Sequence, residues 1–291
     1  MFGECHAHLI MDGWNYRKAV DLHREQVQDE VIHGHFRAYQ KQEIRFVRDG
    51  GDALGVSRRA KELAPLYGID YRTPVFAIHR EGCYGGIVGF GYHDLKEYHQ
   101  LVLQAIREGA DFIKIMTTGI MDFANEGKIT GTPLPAQEVK ELVRIAHEEG
   151  MAVMSHTNGV YGAQAAICAG VDSLEHGNFM DEETIGMLAD SDTVWVPTLV
   201  TVENLIGCGR FPDEALKRIR DKAAENLRLA YQKGAKAALG SDAGAHMVLH
   251  GTGLVNEYQA FTRILGDTPE VHAWLTAGEQ EVRERFRGGR R

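Results

Sequence analysis

From about residue 90 onward, short apolar segments alternate with longer stretches of helical periodicity, and no Pro/Gly/Ser-rich linker separates them. This alternation constrains the fold more than any other feature. Parallel strands need a crossover long enough to hold a helix, so a chain that keeps alternating the two patterns builds a parallel sheet covered by helices. Residues 111–116, 151–155, 171–175, 193–199 and 236–241 predict strands rich in Val, Ile, Leu or Ala. Between two of them, residues 135–149 set Val139, Leu142, Val143 and Ala146 at three-to-four spacing and stop at Gly150, the pattern of an amphipathic helix with its C-terminal signal. Residues 3–10, 43–48 and 72–78 supply three earlier strands. Eight parallel strands close a (β/α)8 barrel, an α/β fold of the TIM type. Residues 14–42 read as one long polar helix or two.

The 291 residues, 44% hydrophobic and 25% charged, suffice for the core of such a barrel as one domain. We expect a catalytic core at about residues 3–257 and a helical tail at 258–291, with the basic stretch 283–291 frayed. A formal charge of −9 argues against a nucleic-acid or anionic-membrane partner. Charged or polar residues interrupt every apolar run before it reaches membrane-spanning length. Cys5, Cys83, Cys168 and Cys208 form no CxxC pair, and no basic-then-apolar leader precedes the first strand. A soluble protein of the reducing cytoplasm is expected.

Several polar residues sit at strand positions that suit chemistry. His6 and His8 stand two apart on an extended segment, so their side chains emerge on one face and can meet one cation, although such pairs also arise incidentally. Lys114 lies inside the apolar run Phe112-Ile113-Lys114-Ile115-Met116. There it is either a snorkelling or salt-bridged lysine on an outward face, or an amine neutralised by burial that can take up carbon dioxide as a carbamate. His156 and His176 each close a strand before a Gly-containing loop, at the face where barrel active sites form. Either is a satisfied structural group or a ligand. Asp242, in Gly240-Ser241-Asp242-Ala243-Gly244, is a turn or helix-capping carboxylate or a ligand.

The order of these residues resembles that of the amidohydrolase superfamily, in its members with a carboxylated lysine and a binuclear centre. The flanks Phe112–Met116, "AGVDSLEHG", "VPTL" and "GSDAG" are similar to those of imidazolonepropionase-like enzymes and of Xaa-Arg, Xaa-Lys and Xaa-Pro dipeptidases, over about residues 3–257. The resemblance implies two divalent metal ions, with zinc as the first choice. His6, His8 and Asp242 would hold one, His156 and His176 the other, and carboxylated Lys114 would bridge them. It implies a metal-dependent hydrolase that cleaves an amide, cyclic amide or related C–N bond of a small molecule through a metal-activated hydroxide, with Asp242 as general base. A lactonase, esterase or deaminase uses the same ligands with other loops, and a non-catalytic barrel is the remaining alternative.

The sequence also departs from that family. No material for its accessory β-sandwich is recognisable. The Thr-Gly-Gly-His loop of the dipeptidases is replaced by residues 79–86, and the nearest tyrosine after His156 is Tyr161. His79, Arg80, Tyr84, Tyr161 and His246 are the candidate substrate-binding residues. The tail either caps the barrel bottom or joins copies of the chain into a homo-oligomer.

Overall fold

The computed structural model describes residues 1–288. Nine strands follow in chain order: β1 (Glu4–Ala7), β2 (Phe46–Asp49), β3 (Asp70–Arg72), β4 (Ala77–Arg80), β5 (Gly89–Tyr92), β6 (Ile113–Met116), β7 (Val153–Thr157), β8 (Ser173–His176) and β9 (Val194–Val196). Every ladder among them is parallel, in the orders β1-β2-β3 and β5-β4-β6-β7-β8-β9. Helices follow the strands on the outside, and the architecture is the expected (β/α)8 barrel without an accessory β-sandwich among the described residues. The expected helix at 135–149 is Ala136–Glu148, with Val139, Leu142, Val143 and Ala146 buried. Residues 14–42 form two helices, Tyr16–Leu22 and Asp29–Lys41.

Three local expectations need correction. The third barrel strand is split into β3 and β4, because Pro74 has no N–H for a ladder and Val75 turns to φ 66°. β5 pairs with the outer side of β4, a strand that the sequence around Gly89 did not announce. Residues 236–241 form no ladder of their own. The segment is held by single bridges on each side, with Ala238 N donating to Trp195 O (3.0 Å), Cys5 N to Leu239 O (3.0 Å) and Asp242 N to His6 O (2.8 Å). It thereby closes the barrel between β9 and β1. Gly240 is required there, since a Cβ would stand 2.5 Å from Val196 Cγ1 and 2.9 Å from His6 N.

The tail does not fray where it is described. Its last helix, Pro269–Arg285, carries Val282 and Phe286 into a fully buried cluster with Cys5, Phe46, Phe112, Met154, Val194 and Val196, so the tail plugs the barrel bottom. Residues 289–291 of the expected frayed stretch lie outside the described residues. Among the described residues no helix is long and apolar enough to cross a membrane. The four cysteines are unpaired.

Phe286 has no exposed surface. Truncation to Ala should therefore cost about 3–5 kcal/mol, the range for a buried aromatic that leaves a cavity. Chemical denaturation of Phe286→Ala checks this, and a loss below about 1 kcal/mol would mean that the tail does not plug the barrel.

Candidate metal centre

The barrel brings His6, His8, Lys114, His156, His176 and Asp242 to one place, from the four strands β1, β6, β7 and β8 and the end of the closing segment. His6 Nε2 and His8 Nε2 lie 3.6 and 3.7 Å from the same oxygen, Asp242 Oδ1. These spans are too long for hydrogen bonds. They suit a shared cation, because two ligands at about 2.1 Å from a tetrahedral ion stand about 3.4 Å apart. Among the described residues this is the one group of three His, Cys, Asp or Glu side chains so clustered. The ring of His176 is centred 5.0 Å from that of His6 and 4.7 Å from that of His156, which extends the cluster to a second group of nitrogens.

Hydrogen bonds orient the imidazoles. A carboxylate or carbonyl oxygen accepts only, so His6 Nδ1 donates to Glu175 Oε2 (2.7 Å) and His156 Nε2 donates to Gly119 O (3.1 Å). The lone pairs of neutral His6 Nε2 and His156 Nδ1 are then free. His6 Nε2 and Lys114 Nζ are buried without any hydrogen-bond partner. Polar atoms are rarely left so, and the free lone pair of His6 Nε2 is the kind of group that ligates a cation. His176 Nδ1 is 2.7 Å from Thr198 Oγ1. His8 has room only because residue 50 is Gly, whose Cβ would stand 2.2 Å from His8 Cε1.

Burial decides the charge states. It holds His6 and His176 well below the ordinary imidazole value and His8 and His156 down at about 3, with the nearby Lys114 charge adding to the effect. Neutral imidazoles are what a metal needs. Lys114 is brought down to about 8 by burial, against the pull of the Glu175 carboxylate. The side chain is 1% exposed and its amine meets no carboxylate at hydrogen-bond distance. The outward, salt-bridged reading of Lys114 is therefore excluded. Asp242 is raised to about 6 by burial, opposed by Lys114. Its side chain is 17% exposed, more than those of His6 and His8.

The backbone is strained here. His176, Thr198 and Asp242, at the ends of β8, β9 and the closing segment, have φ of 67°, 52° and 60°. At His176 the turn has a clear consequence. Glu175 and His176 are neighbours and should face opposite ways, yet Glu175 bonds His6 while His176 packs against the same ring.

The sequence reading missed Glu175 and Arg48. Both are fully buried, and Arg48 donates to Cys5 O (2.7 Å), Ser173 Oγ (2.8 Å) and Glu175 Oε1 (2.9 Å). Glu175 lies inside the "SLEHG" motif, and the available signal was a second ionisable group buried next to His176. Of the loop candidates, Tyr84 alone reaches a histidine of the cluster, its ring centred 5.1 Å from that of His156. Arg80 pairs with Glu138 (2.9 Å), and the Tyr161 hydroxyl accepts from Ala136 N (3.0 Å). His79 Nδ1 donates to Arg80 O (2.9 Å), and His246 Nδ1 donates to Trp14 O (3.0 Å).

The sequence profile of the Amidohydrolase family matches residues 58–265, a stretch that holds Lys114, His156, His176 and Asp242 and begins beyond His6 and His8. An uncharacterized protein of Mycobacterium tuberculosis is 30% identical over 189 residues, covering 61% of this chain and 49% of its own length. Ochratoxinase of Aspergillus niger is 29% identical over 154 residues, covering 51% of this chain and 32% of the enzyme. The chain thus spans about half the length, or less, of these relatives. The crystal structure of that ochratoxinase superposes with a TM-score of 0.76 at 21% identity, over 97% of this chain and 71% of the enzyme chain. A Xaa-Pro dipeptidase with methionine bound in its active site gives 0.73 at 24% identity, over 99% of this chain and 78% of the other. These likenesses establish the barrel fold.

Glu175→Gln keeps the side-chain volume and an acceptor for Arg48 but weakens the anchor of His6. Zinc affinity, measured by equilibrium dialysis, should fall about 10- to 100-fold, the usual cost of losing the group that orients a ligating histidine. An unchanged affinity would remove Glu175 from the site.

Proposed function

Because the chain belongs to the amidohydrolase family, we propose that it is a metal-dependent hydrolase that cleaves an amide, cyclic amide or related C–N bond of a small molecule. One observation carries the reading: two histidine nitrogens and an aspartate oxygen at cation-sharing distances, beside a buried amine and nitrogen that have no partner. His6, His8 and Asp242 would hold one divalent ion, His156 and His176 a second, and Lys114, as its carbamate, would join them. The nitrogen and oxygen donors suit zinc. Such ions, when bound, polarise the scissile carbonyl and lower the pKa of water.

The chain's own residues do the rest. Glu175 fixes the tautomer and direction of His6, and Thr198 stands against His176 to do the same. Asp242 reaches the mouth of the barrel, with its second oxygen available to substrate and water. It accepts the proton of the attacking water and returns it to the leaving nitrogen. The unpaired thiols fit a reducing compartment, and we place the protein in the cytoplasm.

Asp242→Asn keeps shape and one ligand oxygen while removing the base. Turnover should fall by about 10²–10⁴-fold with metal content largely retained. The measurement begins with a screen of N-acyl amino acids, dipeptides, cyclic amides and lactones against the wild type. A near-wild-type rate in the variant, with metal still bound, would show that Asp242 is not the base; a lactone or ester as sole substrate would move the enzyme to another class.

A further inference from the structure

The imidazole of His156 is fixed by a carbonyl in a different loop. Gly119 O, just past the end of β6, receives the proton of His156 Nε2 at 3.1 Å. A loop carbonyl at the mouth of a barrel has water as a competing partner, so the bond lasts only if other contacts hold the peptide in place.

Asn158 supplies them. Its buried side chain donates from Nδ2 to Gly119 O (3.2 Å), with the same Nδ2 3.4 Å from His156 Nε2. Its Oδ1 accepts from the backbone N (3.2 Å) and the Nδ2 (2.9 Å) of Asn178, in the loop after β8. These partners settle which way the amide points. A peptide N–H only donates and a carbonyl only accepts, so the oxygen faces Asn178 and the nitrogen faces Gly119. Neighbouring bonds reinforce the clamp: Asn158 N donates to Thr118 Oγ1 (2.9 Å), Thr118 Oγ1 donates to Gly119 O (2.9 Å), and Gly159 N donates to Asn178 O (2.8 Å). One buried amide thus joins the ends of the three strands that carry Lys114, His156 and His176.

The tautomer of His156 depends on this clamp. A neutral imidazole carries a single N–H, and with the proton at Nε2 the lone pair lies at Nδ1. Were Gly119 O to swing away, nothing would hold the proton at Nε2, and the amide 3.4 Å away would favour the opposite tautomer by donating to that nitrogen.

We propose that Asn158 is a positioning residue that holds the Gly119 carbonyl against His156 Nε2 and so keeps His156 Nδ1 unprotonated and free to ligate. The assignment rests on the metal-dependent reading above, in which His156 and His176 hold the second ion. Glu175 orients His6 directly, while Asn158 orients His156 through a backbone carbonyl, and the two networks share no residue. Loss of one therefore leaves the other in place.

Asn158→Leu keeps the size of the side chain and removes both its donor and its acceptor. In metal-free protein, nitrogen NMR of the imidazole rings reads where each proton sits, with the His156 signals identified by their loss in His156→Asn. The wild type should show His156 protonated at Nε2 alone, and Asn158→Leu a mixture of the two tautomers. In zinc titrations followed by calorimetry, one of the two binding steps should weaken about 10- to 100-fold in the variant, the usual cost of losing a group that orients a ligating histidine, while the other step is unchanged. If Asn158→Leu does not fold, Asn178→Ala removes the 2.9 Å donor that pins Asn158 Oδ1 and should move the tautomer and the same zinc step in the same direction. His156 protonated at Nδ1 in the wild type overturns the role of Asn158. So does a variant that keeps the wild-type tautomer or both zinc steps, and the metal centre then stands without it. Wild type that takes up fewer than two zinc ions removes the second ion, and the role of Asn158 falls with the reading it rests on.

Discussion

The structure turns on one carboxylate. Glu175 sits in the middle of the barrel, accepts from His6 on one side and from Arg48 on the other, and has no exposed surface. A buried ion pair often contributes little net stability, because desolvation offsets the attraction, whereas removal of one partner costs several kcal/mol. What the pair supplies here is position. Arg48 is locked below by the Cys5 carbonyl, by Ser173 and by the face of Phe286, 4.4 Å away, so the tail that plugs the barrel bottom is linked through two side chains to the imidazole at its mouth. A site that must hold ligands within a fraction of an ångström needs such a rigid chain behind it.

The mouth itself holds strain and unmet polar groups. Left-handed backbone at His176, Thr198 and Asp242 costs of order 1–3 kcal/mol each and persists only where surrounding contacts enforce it. Those contacts are visible. Glu257, buried on the helix Thr252–Leu265, accepts from Leu199 N and Val200 N (both 2.9 Å) and fixes the turn that carries Thr198. Glu4 accepts from Ser241 N (2.7 Å) and His6 N (3.2 Å), tying the closing segment to β1 just before Asp242. Strain, an unpartnered imidazole nitrogen and a buried lysine amine in one spot are destabilising in isolation. Coordination of the proposed ions would offset them.

Much of this was legible in the chain. Alternation of strand and helix patterns fixes a barrel, and period-two spacing puts His6 and His8 on one face, while a lysine inside an apolar strand stands out locally. The parts that stayed hidden depend on long-range partners. Arg48 and Glu175 are 127 residues apart, and nothing near either announces the other. The segment at 236–241 has a strand's composition, but its neighbours pair with it only at single bridges, which no local pattern encodes. Pro74 was a readable warning that the third strand would break. Among the loop candidates, Arg80 and Tyr161 look free in sequence, yet a facing helix gives each a partner, Glu138 and the Ala136 amide.

As proposed, the barrel mouth is a two-ion centre built on Lys114. Anomalous diffraction at the zinc edge, on crystals of metal-loaded protein, tests it most directly. The account predicts two peaks about 3.5–4 Å apart, one against His6, His8 and Asp242 and the other against His156 and His176, with planar density extending Lys114 Nζ between them. A mouth with no peak, or a single peak beside Lys114 as a free amine, would contradict it.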